Sequence, residues 1–146
     1  MAVEPQTGRL SAGRAQLLAI AFALVSGMSA VIASALASHA LGHYSPTAQA
    51  SWDVAARMHL AHSLLMLLMS LCWAQHAYRL LGVSCLLLGL GVILFSVNIY
   101  VRVLFGDSFV SRLTALGGLC LMAGWLVPLP ILSDLWRRHG TGALRS

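Results

Sequence analysis

The sequence predicts an all-α integral membrane protein: a four-helix antiparallel bundle, with an interfacial helical stretch ahead of its second membrane helix. Hydrophobic residues fill 59% of the 146 positions and charged residues only 9%, a balance outside that of soluble globular chains. Four stretches, 15–38, 58–74, 80–101 and 113–132, reach or approach the roughly 20 apolar residues that cross about 30 Å of hydrocarbon. Residues 75–79, between the second and third, are too few for anything but an antiparallel hairpin. A single domain, 15–136, is expected between a flexible cytoplasmic tail at 1–14 and a second at 137–146.

The first helix opens after a polar, small-residue tail without apolar periodicity. Its Ala35-Leu36-Ala37 triplet imitates a signal-peptidase site, but the apolar run before it is too long for a typical signal peptide, so a retained helix is expected. Ser26, Ala30, Ser34 and Ser38 recur every fourth residue, a small-residue ladder that lets another helix come close. Ser45-Pro46 then reads as a helix start, with Ser45 as N-cap and Pro46 at the first helical position. Helix from there through the second span would run about 45 Å, longer than the hydrocarbon is thick. Residues 46–57 are therefore expected at the outer interface, anchored by Trp52.

Trp73 and Tyr78 mark the inner interface. Gly82, Gly89 and Ser96 repeat every seventh residue in the third helix, as do Gly117 and Gly124 in the fourth, a period that keeps small residues on one packing seam. Phe105-Gly106-Asp107-Ser108 is an outer turn, and Pro128 and Pro130 should kink the fourth helix near its inner end. Cys72, Cys85 and Cys120 fall in three different helices and read as packing residues.

All nine basic residues are arginines. Alternating crossings put Arg9, Arg14, Arg79, Arg137, Arg138 and Arg145 on one side and Arg57, Arg102 and Arg112 on the other. The positive-inside rule then places both termini in the cytoplasm of a bacterial inner (cytoplasmic) membrane, and gives the basic balance a topological meaning rather than a nucleic-acid one.

The polar residues of the spans are expected to collect in the outer leaflet: His62 about 10 Å below its surface, with His39, Asn98 and Arg57 nearby. Intramembrane ionisable residues are functional candidates by default, so these four form a candidate polar site. The competing reading is structural, a histidine satisfied by one hydrogen bond between helices, and it is preferred. His39 with His43 and His59 with His62 have helix-face spacing, which makes them weak metal candidates that lack a third and fourth ligand. No cofactor is predicted, and metal, haem or quinone enters only as an alternative.

Ala35 to Leu41, Asp53 to Arg57 followed by His62, Phe95-Ser96 to Tyr100, and Thr114 to Trp125 resemble the small membrane proteins grouped as domain of unknown function 423, relatives of transmembrane protein 256. The resemblance implies a four-helix membrane protein without an established activity, and histidines at the positions of His39 and His62. The family usually has Tyr where Met58 stands, Gln at His59, Gly at Val97, Ser at Asn98 and Pro at Ala115.

No acid lies inside a span, as proton-coupled transport would require, and no cysteine pair serves thiol redox chemistry. The function expected is a structural or accessory subunit of a membrane assembly rather than an enzyme. Its partners would be membrane lipid and other membrane subunits or a second copy. The alternative is a lipid- or quinone-binding or redox module with its histidine site in the outer leaflet.

Overall fold

The computed structural model describes residues 13–106 and 111–142. The N-terminal tail up to residue 12, Asp107 and Ser108 of the outer turn, and residues 143–146 lie outside them. The described residues form α1 (Arg14–His39), α2 (Pro46–Gln75), α3 (Arg79–Val92), a π-helical segment (Ile93–Val97), α4 (Asn98–Phe105), α5 (Ser111–Leu126) and α6 (Leu129–Gly142). Four helical units, Arg14–His39, Pro46–Gln75, Arg79–Phe105 and Arg112–Asp134, are each long and apolar enough to span a membrane. The chain is a multi-pass membrane protein.

The spans are not equivalent. The second and third bury 44% of their apolar window inside the protein, against 22% for the first and 17% for the fourth, so the middle pair is the centre and the outer pair flanks it. α1 lies chiefly along α2, α2 along α3, and α5 along α3 and the π segment.

On α1 the seam that meets α2 is Ala23, Ser26, Ala30 and Ala33, with Ala19 and Ala37 packed at its two ends. That is alternating three- and four-residue spacing, which tracks a helix–helix seam; a strict four-residue step drifts about 40° each time. Ser34, expected on the seam, has drifted off it: it is exposed and donates to the Ala30 carbonyl of its own helix. On α2 the facing residues are Trp52, Ala56, His59, Ser63, Met66 and Ser70, again in alternating steps of four and three.

α2 begins as its sequence suggests, with the Ser45 hydroxyl accepting from the Ala48 N–H and Pro46 in the first turn. It continues unbroken to Gln75, with residues 46–57 as its opening turns. Trp52 is correspondingly a core residue, not an interfacial anchor. Its indole N–H donates to the Ala33 carbonyl at 2.7 Å, and its ring packs on Tyr100 with centroids 4.5 Å apart.

α3 carries two seams. Gly89 lies under Phe22 of α1 and Met66 of α2, and Gly82 under the Trp73 ring. Ser84, Leu88 and Gly91 meet α5, where the Ser84 hydroxyl donates to the Gly124 carbonyl at 2.5 Å. The closest approach to backbone is at Gly117, where an added Cβ would stand 2.5 Å from the Phe95 nitrogen and 2.7 Å from the Leu94 carbonyl carbon. The fourth span breaks after α5, at Val127 and Pro128, because proline supplies no N–H to carry the helical ladder through.

Two glycine substitutions should separate backbone contact from side-chain contact. Gly117→Ala drives a methyl into backbone that no rotamer change can relieve, and is expected to cost at least about 1–3 kcal/mol. Gly118→Ala meets only the Phe95 ring, at 3.9 Å, and should stay within about 0.5 kcal/mol. Unfolding in detergent micelles measures both.

Candidate functional site: a buried histidine cluster

The side chains with most chemical potential inside the bundle gather around His59, not around His39 and His62. His59 is 4% exposed. Its Nε2 lies 3.0 Å from Ser26 Oγ of α1, Ser26 Oγ lies 2.6 Å from Ser63 Oγ, and Tyr100 OH approaches Nδ1 at 3.4 Å. Ser63 also donates to the His59 carbonyl, one turn earlier on α2, at 2.8 Å. The cluster ties α1, α2 and α4 together.

The direction of these bonds follows from one fixed point. A carbonyl only accepts, so the Ser63 hydrogen is used on the His59 carbonyl. Ser63 therefore accepts from Ser26, and Ser26, its own hydrogen spent, accepts from His59. His59 thus carries its proton on Nε2, and Nδ1 accepts from Tyr100 OH. One neutral imidazole and three hydroxyls satisfy one another in a single consistent orientation. Among the described residues no buried side-chain nitrogen or oxygen lacks a partner, the condition a water-free interior imposes.

Ser26 is near the midpoint of α1, about 18–20 Å from either end. The cluster thus lies about midway along both α1 and α2. Packing seals it: Trp52 and Tyr100 cover one side, and Ala30, Ala55 and Ala56 are almost wholly buried around it.

The four-residue site expected from sequence is not assembled. His39 ends α1 and is exposed, turned away because it falls off the Ala30, Ala33 and Ala37 seam. His62 is buried about 60° round α2 from His59, on the side toward α5: its Nδ1–H donates to the Met58 carbonyl at 2.7 Å, and its ring stands edge-on to Trp125 of α5. Arg57 is exposed and forms an ion pair with Asp53 one turn back. Asn98 is buried and donates to Thr114 Oγ1 at 2.7 Å, joining α4 to α5.

The weak metal candidates are likewise separated, with His43 exposed in the loop after α1 and its ring against Tyr44. No group of three histidine, cysteine or acidic side chains among the described residues is placed to hold a metal ion. Cys85 is buried, and Cys72 and Cys120 are partly so.

Residues 33–118, more than half of the chain, match the family model described as Protein of unknown function (DUF423). The chain belongs to that family. The DUF423 match begins inside α1 and ends inside α5, so it holds all of α2 and the whole third span, with His59, Ser63 and Tyr100. Ser26, the α1 member of the cluster, precedes the DUF423 match. Comparison with curated proteins and with solved structures gave no match.

The assigned proton position is open to measurement. ¹⁵N NMR of histidine-labelled protein should find His59 neutral, protonated on Nε2 and bare on Nδ1. Ser26→Ala removes the acceptor for that N–H and should cost about 1–3 kcal/mol. A double-mutant cycle of Ser26→Ala with His59→Leu should return a coupling of about 0.6–1.7 kcal/mol, the range found between helices in membranes. His39→Ala is expected to change stability by less than about 0.5 kcal/mol.

Proposed function

We propose that this DUF423 protein is a structural or accessory subunit of a membrane assembly. The observation that carries this reading is how the polar side chains within the spans are used. Ser26, His59, Ser84, Ser96 and Asn98 each bond to a neighbouring helix, and the bonds hold the helices in register. Meanwhile the flanking helices turn broad apolar faces outward. On α1 these include Leu17, Leu24, Val25, Met28 and Val31, and on α5 Leu116, Leu119, Met122 and Leu126. Such faces suit lipid, a second copy or a larger subunit equally well in composition.

The partners on this reading are membrane lipid and other membrane polypeptides, in a bacterial cytoplasmic membrane. The arginines support both termini in the cytoplasm: Arg14, Arg79 and Arg137 lie toward one end of the bundle, and Arg57, Arg102 and Arg112 fall in the other half.

Two measurements test the reading. Extracted in mild detergent, the chain should run as a complex of fixed stoichiometry, either of identical subunits or with a companion polypeptide. A monodisperse single chain would count against it. For orientation, cysteines introduced as Ser45→Cys and His76→Cys should respond oppositely to a membrane-impermeant maleimide in intact cells. Position 45 should label and position 76 should be protected until the cells are opened.

A further inference from the structure

A cavity lies beside the break at Pro128, at the end of the molecule opposite the α1–α2 loop. There α2, α3, α5 and α6 leave between them a half-open space of about 470 Å³ lined by Met69, Leu81, Trp125, Leu129 and Leu132. The volume falls within the roughly 300–1,000 Å³ of small-ligand sites. Its wall is almost wholly apolar, and its polar members, His76 and Tyr78, sit together on the α2–α3 turn with ring centroids 6.3 Å apart. The next residue, Arg79, is exposed and opens α3.

We propose that this cavity binds one anionic phospholipid, with an acyl chain against the apolar wall and the phosphate beside His76, Tyr78 and Arg79. Three features select that occupant. The turn between two membrane spans puts the polar rim at headgroup depth and the apolar wall beneath it, the polarity profile of a lipid. Charge complementarity fixes the sign of the head: Arg79 and His76 supply cationic or donor groups, and no acid among the described residues lines the cavity. Tyr78 adds a hydroxyl at the level where tyrosine and arginine side chains meet phosphate. The site is distinct from the His59 cluster, which is sealed in mid-bundle.

The test uses the full chain in mild detergent, with phosphatidylglycerol or phosphatidylcholine of matched acyl chains added and bound lipid counted by native mass spectrometry. One phosphatidylglycerol per chain should survive collisional activation that strips phosphatidylcholine. His76→Gln with Arg79→Gln, both exposed positions, should weaken its retention about tenfold while leaving the thermal unfolding temperature unchanged. Leu129→Trp should block it by filling the cavity.

Cys72 also lines this space, so its alkylation by N-ethylmaleimide, followed on its own peptide, should slow several-fold with phosphatidylglycerol but not with phosphatidylcholine. Equal retention of the two lipids, retention unaffected by the rim variants, or unchanged Cys72 reactivity would each overturn the proposal. So would preferential retention of a neutral quinone.

Discussion

The structure turns on the satisfaction of one imidazole where no water can reach it. In hydrocarbon an unpaired N–H or hydroxyl costs several kcal/mol, so the helices around His59 have few acceptable rotations. α1 must present Ser26, α2 must present His59 and Ser63 together, and α4 must bring in Tyr100. Rotating α1 by one residue, about 100°, would remove Ser26 from the cluster and leave its partners unpaired. Apolar contact with lipid tails is nearly as good as apolar contact with another helix. The polar cluster therefore sets which faces meet, and the alanines of α1 set how near they come.

The far side of the molecule is held by a different kind of contact. Between α3 and α5 the glycines Gly91, Gly117 and Gly124 let backbone and side chains interlock, with hydrogen bonds at either end from Ser84 and Asn98. The π segment lies at this interface. A π turn takes up an extra residue, which shifts the helical phase of α4 relative to α3. Just here Phe95 packs on Gly117 and Gly118 of α5, Ser96 donates to the Ala55 carbonyl of α2 at 3.0 Å, Asn98 returns to α5, and Tyr100 reaches His59. The third span thereby serves neighbours on both sides within six residues.

What could be read from the sequence divides along physical lines. Four apolar stretches of membrane length are a property of composition alone, so the architecture was legible without any contact being known. The glycine repeat on α5 was legible for the same reason, since Gly117 and Gly124 are seven apart and seven residues return to nearly one face. Choosing between His59 and His62 required helical phase. The phase was present in Trp52, Ala56, His59, Ser63, Met66 and Ser70, whose alternating spacing includes His59 and omits His62. Depth was a poorer guide, because it ranks residues along the helix and says nothing about the direction they face; His39 was lost on that point. The cavity had no sequence signal beyond two prolines, since its walls come from four helices whose arrangement is tertiary.

The order in which the spans pack has a consequence for how the chain is made. Each span after the first packs on the one before it: α2 on α1, then α3 on α2, then α5 on α3 and its π segment. A chain threaded into a membrane from its N-terminus can therefore dock each helix as it emerges, with no need to hold an early surface open for a late arrival. The costliest group to leave bare, His59, gains Ser26 and Ser63 once the first hairpin closes, and Tyr100 completes it with the third span. Packing can therefore follow the order of synthesis, and the last span is the one whose loss would disturb His59 least.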